Sequence, residues 1–161
     1  MRVASRGQPI YEVYSLVLFV VVSMTSLAAS GFQEQPHTAD WALAVWAPDL
    51  MGLLQQAAGG MYALMHARLQ AEPRETYRFE IAAPDRETLL VTFLAELLYF
   101  TQRDDVAFDQ FDLVQAGERL VAEVEGAPIE SIAKEIKAVT YHNLAVQETA
   151  RGLEATIVFD V

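Results

Sequence analysis

Cysteine is absent from all 161 residues. That removes disulfides, thiolate nucleophiles and thiolate metal sites together, and it leaves the redox compartment open. Basic residues are scarce as well. Eleven Lys and Arg stand against 22 Asp and Glu, giving a formal charge of -11 and a pI near 4.6. A field of that sign repels phosphate backbones, so direct nucleic-acid binding is disfavoured unless a cation or a basic partner intervenes. Divalent cations and basic proteins are the natural partners. No glycine-rich phosphate loop is present, because Gly59-Gly60 falls inside a helical pattern and lacks the accompanying lysine and hydroxyl. No serine nucleophile comes with a base at motif spacing, so the chain gives little support to an independent enzyme. Internal repeats and low-complexity segments are missing too.

The length suits one domain with a substantial core, and 53% hydrophobic with 20% charged residues fits a globular protein rather than a disordered one. The first 31 residues stand apart. They carry Arg2, Arg6 and Glu12, a net +1 that leaves -12 for the remainder, and Ser15 to Ala29 is an apolar run closing on small residues. Four readings remain open for this extension: a start-site artefact with translation beginning at Met24, a secretory signal, a membrane anchor shorter than the ~20 residues that span a bilayer comfortably, or a genuine added element. The division expected is residues 1–31 as an extension outside the fold and 32–161 as the domain, with a cytoplasmic location and no membrane association for the latter.

Within the domain the patterning predicts an α+β fold, a two-layer domain with two helices packed on one face of a mixed, mostly antiparallel sheet. Trp41 to Ala47 is short and apolar, as a buried strand is. Asp49 is placed to cap a helix whose Leu50, Leu53, Leu54, Ala57, Ala58, Met61, Leu64 and Met65 recur at three- and four-residue spacing. Close packing against a sheet would explain Gly59-Gly60 late in that helix. Tyr77, Phe79 and Ile81 alternate as a half-buried strand. Pro84-Asp85 opens a second helix with apolar rows Leu89, Phe93, Leu97 and Leu90, Leu94, Leu98, ending near Arg103-Asp104-Asp105. Phe108 to Gln115 and Leu120 to Glu125 form a hairpin about Gly117, followed by a loop through Pro128. Lys137 to Glu148 and Leu153 to Val161 form a last pair of strands.

The sharpest local signal is His37-Thr38-Ala39-Asp40, an imidazole, a hydroxyl and a carboxylate at the edge of the first strand. Together with AAGGMYALM (57–65), FLAELLYF (93–100), EIKAVTYHNL (135–144) and the terminal IVFDV (157–161), it occurs in the order and spacing of the archeases. The domain resembles that family over about residues 32–161. The resemblance implies a small α+β protein that assists the GTP-dependent RNA ligase of tRNA splicing and RNA repair. It would promote guanylylation and turnover of the ligase without being the ligase. An older proposal for the family is a chaperone-like modulator of a tRNA methyltransferase. The resemblance further implies a divalent cation, calcium more than magnesium, held by Asp40, Asp160 and a terminal or main-chain oxygen of Val161, and a ligase-activating role for Lys137. The chain departs from the family in its N-terminal extension, since most archeases begin only a few residues before the H-T-A-D phrase.

Read on their own chemistry, Asp40 and Asp160 supply the oxygen donors that hard cations take, and the chain ends one residue after Asp160, so its terminal carboxylate lies close. Adjacent anions repel, and a cation removes that cost. Without the resemblance, Asp40 reads as a cap, Asp160 as a solvated strand end and Lys137 as a solvated surface residue. His37 and His142 read first as hydrogen-bonded structural groups, with His37 open to a role near the cation. Glu96 is either a partner of the metal's ligands or the polar edge of the second helix. Trp41, Trp46, Met61 and Met65 read as core. A metal-dependent hydrolase using the same carboxylates, with His37 as base, is the remaining rival.

Overall fold

The computed structural model describes residues 29–36 and 40–161. The expected extension therefore lies outside the described residues except for its last three, as does His37. Among the described residues the elements run β1 (Gly31–Gln35), β2 (Trp41–Ala47), α1 (Leu50–Leu64), β3 (Arg68–Leu69), β4 (Glu75–Ala82), α2 (Arg86–Asp104), β5 (Val106–Ala116), β6 (Arg119–Ser131), β7 (Ala138–Thr140), β8 (Gln147–Thr149) and β9 (Gly152–Asp160).

Both helices begin where an aspartate replaces the missing intrahelical acceptor. The Gly52 amide donates to Asp49 Oδ1 over 2.8 Å and the Thr88 amide donates to Asp85 Oδ1 over 2.6 Å. At its far end α2 closes on Asp105, whose φ of 57° lets its amide reach the Thr101 carbonyl. Tyr62 of α1 and Thr101 of α2 join the helices through a buried hydrogen bond of 2.9 Å. Thr101 in turn donates to the Leu97 carbonyl, so the phenol is the donor between them. Burial holds the Tyr62 hydroxyl well above the usual phenol range.

The α+β class and the two helices are as expected, and every ladder among the described strands is antiparallel. The strands divide between two sheets rather than forming one. The first runs β1-β2-β9-β7, with β8 also beside β9; in the second, β6 is central and pairs with β3, β4 and β5. The helices fill the space against both inner faces, where Leu43, Phe93, Phe108 and Phe159 are fully buried. Among the described residues no helix is long and apolar enough to cross a membrane.

Three local departures from the expected elements have physical reasons. β1 carries no strong apolar signal; it is held because Phe32 lies over Gly60 of α1, where an added Cβ would come within 2.9 Å of Phe32 Cγ and 2.5 Å of Leu43 Cδ2. That contact is also the reason α1 keeps a glycine there. Pro128 lies within β6 rather than in a loop. It falls between the β4 ladder, which ends at Gly126, and the β3 ladder, which begins at Ile129, so its missing N–H interrupts neither. The strand expected over Lys137–Glu148 is two short ones, β7 and β8, because Asn143 turns the chain at φ 51° and the Leu144 amide bonds back to the Tyr141 carbonyl.

Candidate functional site

β2 begins and β9 ends at the same end of the first sheet. Trp41 faces Phe159 across their ladder, so one further step of that register sets Asp40 beside Asp160. Leu43, Val45, Ile157 and Phe159 take the helix-facing positions. By strand alternation Asp40 and Asp160 therefore share the opposite face. Asp40 is half-buried and Asp160 exposed. Among the described residues neither carboxylate receives a hydrogen bond or an ion pair.

β7 brings the lysine. Ala138 lies opposite Asp160, and the Lys137 amide donates to the Asp160 carbonyl over 2.8 Å. The Lys137 ammonium then donates to the Val161 carbonyl oxygen over 3.1 Å. Asp40, Asp160, Val161 and Lys137, scattered over more than a hundred positions of sequence, thus meet at one sheet end. A shallow pocket of about 380 Å³, lined by Glu34, Gln35, Pro36, Asp40 and Trp41, opens beside them.

A second cation at this end was not singled out from the sequence. The Lys134 ammonium sits 4.4 Å from the centroid of the Trp41 ring, within the range of a cation–π attraction. Trp41 itself is only partly buried against the core and presents its indole to this lysine. A signal existed: Lys134 and Lys137 are the only lysines in the chain.

The donor set fits a hard cation. Among the described residues no three His, Asp or Glu side chains gather as a metal centre. An ion here would rest on two side-chain carboxylates, terminal or main-chain oxygens and water, a set that calcium and magnesium accept and that softer metals do not select.

The other candidates are not drawn in. Glu96 is half-buried midway along α2. That helix runs beside the segment leading through β7, tied by the Val146 amide donating to Glu87 Oε1 at 2.7 Å and by Gln102 Nε2 donating to the Ile136 carbonyl at 3.3 Å. Glu96 makes no hydrogen bond or ion pair with either aspartate among the described residues. His142 lies in the turn after β7, its Nε2 3.1 Å from Asn143 Nδ2. Met61 and Met65 are core residues, as expected, and Trp46 is half-buried with its indole nitrogen lacking a partner among the described residues. A larger cavity of about 920 Å³ lies at the opposite end of the sheet, between the starts of α1 and α2 and the β5–β6 turn.

The family model of the Archease protein family matches residues 32–161. The chain is 31% identical to the protein archease of Methanosarcina acetivorans over 142 residues, covering 81% of this chain and 95% of that one. It is 30% identical to the protein archease of Methanopyrus kandleri over 143 residues, covering 81% and 99% respectively. In fold it is similar to the solution structure of Methanobacterium thermoautotrophicum protein 1598, with a TM-score of 0.62 at 24% identity over 81% of this chain and 99% of that one. It is also similar to the crystal structure of a Thermotoga maritima archease described as a possible chaperone, with a TM-score of 0.63 at 22% identity over 80% and 98%. The match across the whole described domain, carried by curated relatives nearly end to end, establishes that this chain belongs to the archease family.

Proposed function

We propose that this archease is a non-catalytic, metal-binding activator of the GTP-dependent RNA ligase of tRNA splicing and RNA repair, promoting the ligase's guanylylation and multiple turnover. The observation that supports this reading most is the convergence of Asp40, Asp160, Val161 and Lys137 at one exposed sheet end. Asp40, Asp160 and the terminal oxygens would hold the cation, with calcium favoured over magnesium because a half-exposed, irregular oxygen set suits the larger and more adaptable ion. When bound, the ion supplies positive charge at an otherwise acidic edge. Lys137, on the terminal oxygen, stands where its ammonium can pass to an anionic group of the docked partner. The acidic body suits the basic cleft of a protein that binds nucleotide and RNA, and charge complementarity of that kind speeds encounter and fixes orientation.

The test is guanylylation of the ligase by GTP and divalent metal with the archease present in substoichiometric amount. Stimulation beyond one ligase per archease is expected, and no stimulation by folded, metal-loaded protein would reject the reading. The relative described as a possible chaperone favours a second reading, a chaperone-like modulator of a tRNA methyltransferase. Its discriminating outcome is protection of the partner that survives Asp40→Ala, because suppression of aggregation needs no cation.

A further inference from the structure

We propose that His66, Arg68 and Lys134 form a second binding site at this end of the molecule, a pocket for a phosphate-type oxyanion that shares Lys134 with the aspartate edge. The inference concerns the isolated protein and does not depend on the ligase.

A pocket of about 430 Å³ is lined by His66, Arg68, Ser131, Ile132, Ala133 and Lys134. Three segments meet there, the exit of α1, strand β3 and the exit of β6, and main-chain bonds hold them together. Arg68 pairs with Ser131 across the β3–β6 ladder. The amides of Ala133 and Lys134 both donate to the Met65 carbonyl, over 3.1 and 3.3 Å. His66 is fixed at φ 50°, which turns the chain out of the helix into β3.

Among the described residues the cations of this pocket are not paired with carboxylates. In a chain of net charge -11, Arg74, Arg86, Arg103, Arg119 and Arg151 each make an ion pair with a carboxylate. Arg68 and Lys134 make none among the described residues. Nor do they serve the end of α1. The Met61 and Ala63 carbonyls take the amides of Met65 and His66, the Tyr62 carbonyl takes that of Ala67, and the Met65 carbonyl takes the two from the β6 exit. The role by which cations usually complement a helix C-terminus is therefore filled by backbone donors. Lys134 is positioned by the Trp41 ring, and among the described residues its ammonium donates no hydrogen bond.

A guanidinium fork, an ammonium, an imidazole and the Ser131 hydroxyl offer more donors than a planar carboxylate can accept, and they match the three or four oxygens of a phosphate. Glu130 is the extra residue where the β3–β6 register shifts, and it is not among the residues that line the pocket. The wider acidic surface is screened beyond the Debye length, about 8 Å at physiological ionic strength. The local cations therefore decide the outcome for a single phosphate group, while a long polyanionic backbone would still meet the repelling surface.

The experiment titrates isotope-labelled full-length protein with inorganic phosphate, and separately with GTP free of divalent metal, at constant ionic strength, following backbone amides by NMR. Saturable shifts confined to residues 65–69 and 131–135 are expected. The apparent Kd should rise at least tenfold in both Arg68→Ala and Lys134→Ala and stay unchanged in Arg78→Ala, which removes an exposed arginine on β4. Equal binding by the pocket variants, or equal shifts with chloride, would overturn the proposal. Acetate binding as tightly as phosphate would also overturn it, assigning the pocket to a partner's carboxylate instead.

Discussion

The two ends of the molecule treat charge in opposite ways. Around the 920 Å³ cavity, Asp49 and Asp85 are bonded to the amides of their own helices, Arg86 pairs with Glu148 and Arg119 pairs with Glu80. At the other end, Asp40 and Asp160 are neighbours with no partner among the described residues. Lys134 there leans on an aromatic ring, and the Lys137 ammonium donates to the Val161 main-chain oxygen. Charges matched within the chain serve the fold, whereas adjacent like charges left unmatched cost stability and are offset only by something that binds. Cavity volume alone points to the end whose charges are matched.

The sharpest way to break this contrast is to exchange mutations between the ends. Asp40→Ala and Asp160→Ala should each reduce stimulation of ligase guanylylation at least ~10-fold, the loss that even the outer partners of a metal site commonly cause. Their thermal unfolding without metal should be unchanged or slightly raised, since one of two repelling anions is gone. Asp49→Ala should leave stimulation per folded molecule intact. If both sets lower activity in proportion to lost stability, the two ends do not differ in kind.

Metal addition gives the next largest effect. An ion that binds only the folded chain stabilises it by about 2.7 kcal/mol at a hundredfold excess over its Kd. Calcium should therefore raise the melting temperature of the wild type and of Asp85→Asn, and should not raise that of Asp160→Ala. A calcium response that persists in Asp160→Ala would put the ion elsewhere.

How much of this was legible in the sequence depends on whether the signal was local. The helices were, because Asp49 and Asp85 precede apolar rows at helical spacing and each cap needs only residues three positions apart. The β5–β6 hairpin about Gly117 was legible for the same reason. β1 was not, since Gly31–Gln35 is mostly exposed and is held by Phe32 packing on Gly60, nearly thirty residues away. The division into two sheets rests on β2 pairing with β9 and β4 with β6, ladders between strands far apart in sequence, which no periodicity reveals. For the candidate site, family phrases supplied Asp40, Lys137, Asp160 and Val161. Lys134 lies in none of those phrases, and its contact with Trp41 bridges 93 positions.

Caps give a smaller effect and a cleaner one. Asp49→Ala removes a 2.8 Å bond at the start of α1 and should cost about 1 kcal/mol in urea unfolding. Gly52 lies beside it, where an added Cβ would already meet Asp49 Oδ1 at 3.3 Å. Asp49→Asn, which keeps an acceptor oxygen in the same place, should recover most of the loss. A loss as large for Asn as for Ala would mean that the carboxylate's charge, and not its hydrogen bond, supports the helix.

The smallest predicted effect is a pH dependence confined to the matched end and to the end of α2. The Thr88 hydroxyl and amide hold the Asp85 carboxyl below its usual range. The Arg103 guanidinium, with help from the Tyr77 hydroxyl, does the same for Asp104, outweighing partial desolvation. Both folded values lie below the unfolded value of about 3.9. A depressed carboxylate contributes stability that is fully present above the unfolded pKa and is lost as pH falls through the folded one. The urea midpoint should therefore hold steady from pH 7 to about 5 and decline below about 4 as these groups protonate. Asp85→Asn should lower the midpoint at neutral pH and flatten the acid decline. Because asparagine can still accept the Thr88 amide, the part of the decline that disappears measures the charge alone. A variant that keeps the full wild-type slope would show that Asp85 is capped but not charge-stabilised, and the contrast between the two ends would then rest on hydrogen bonding rather than on electrostatics.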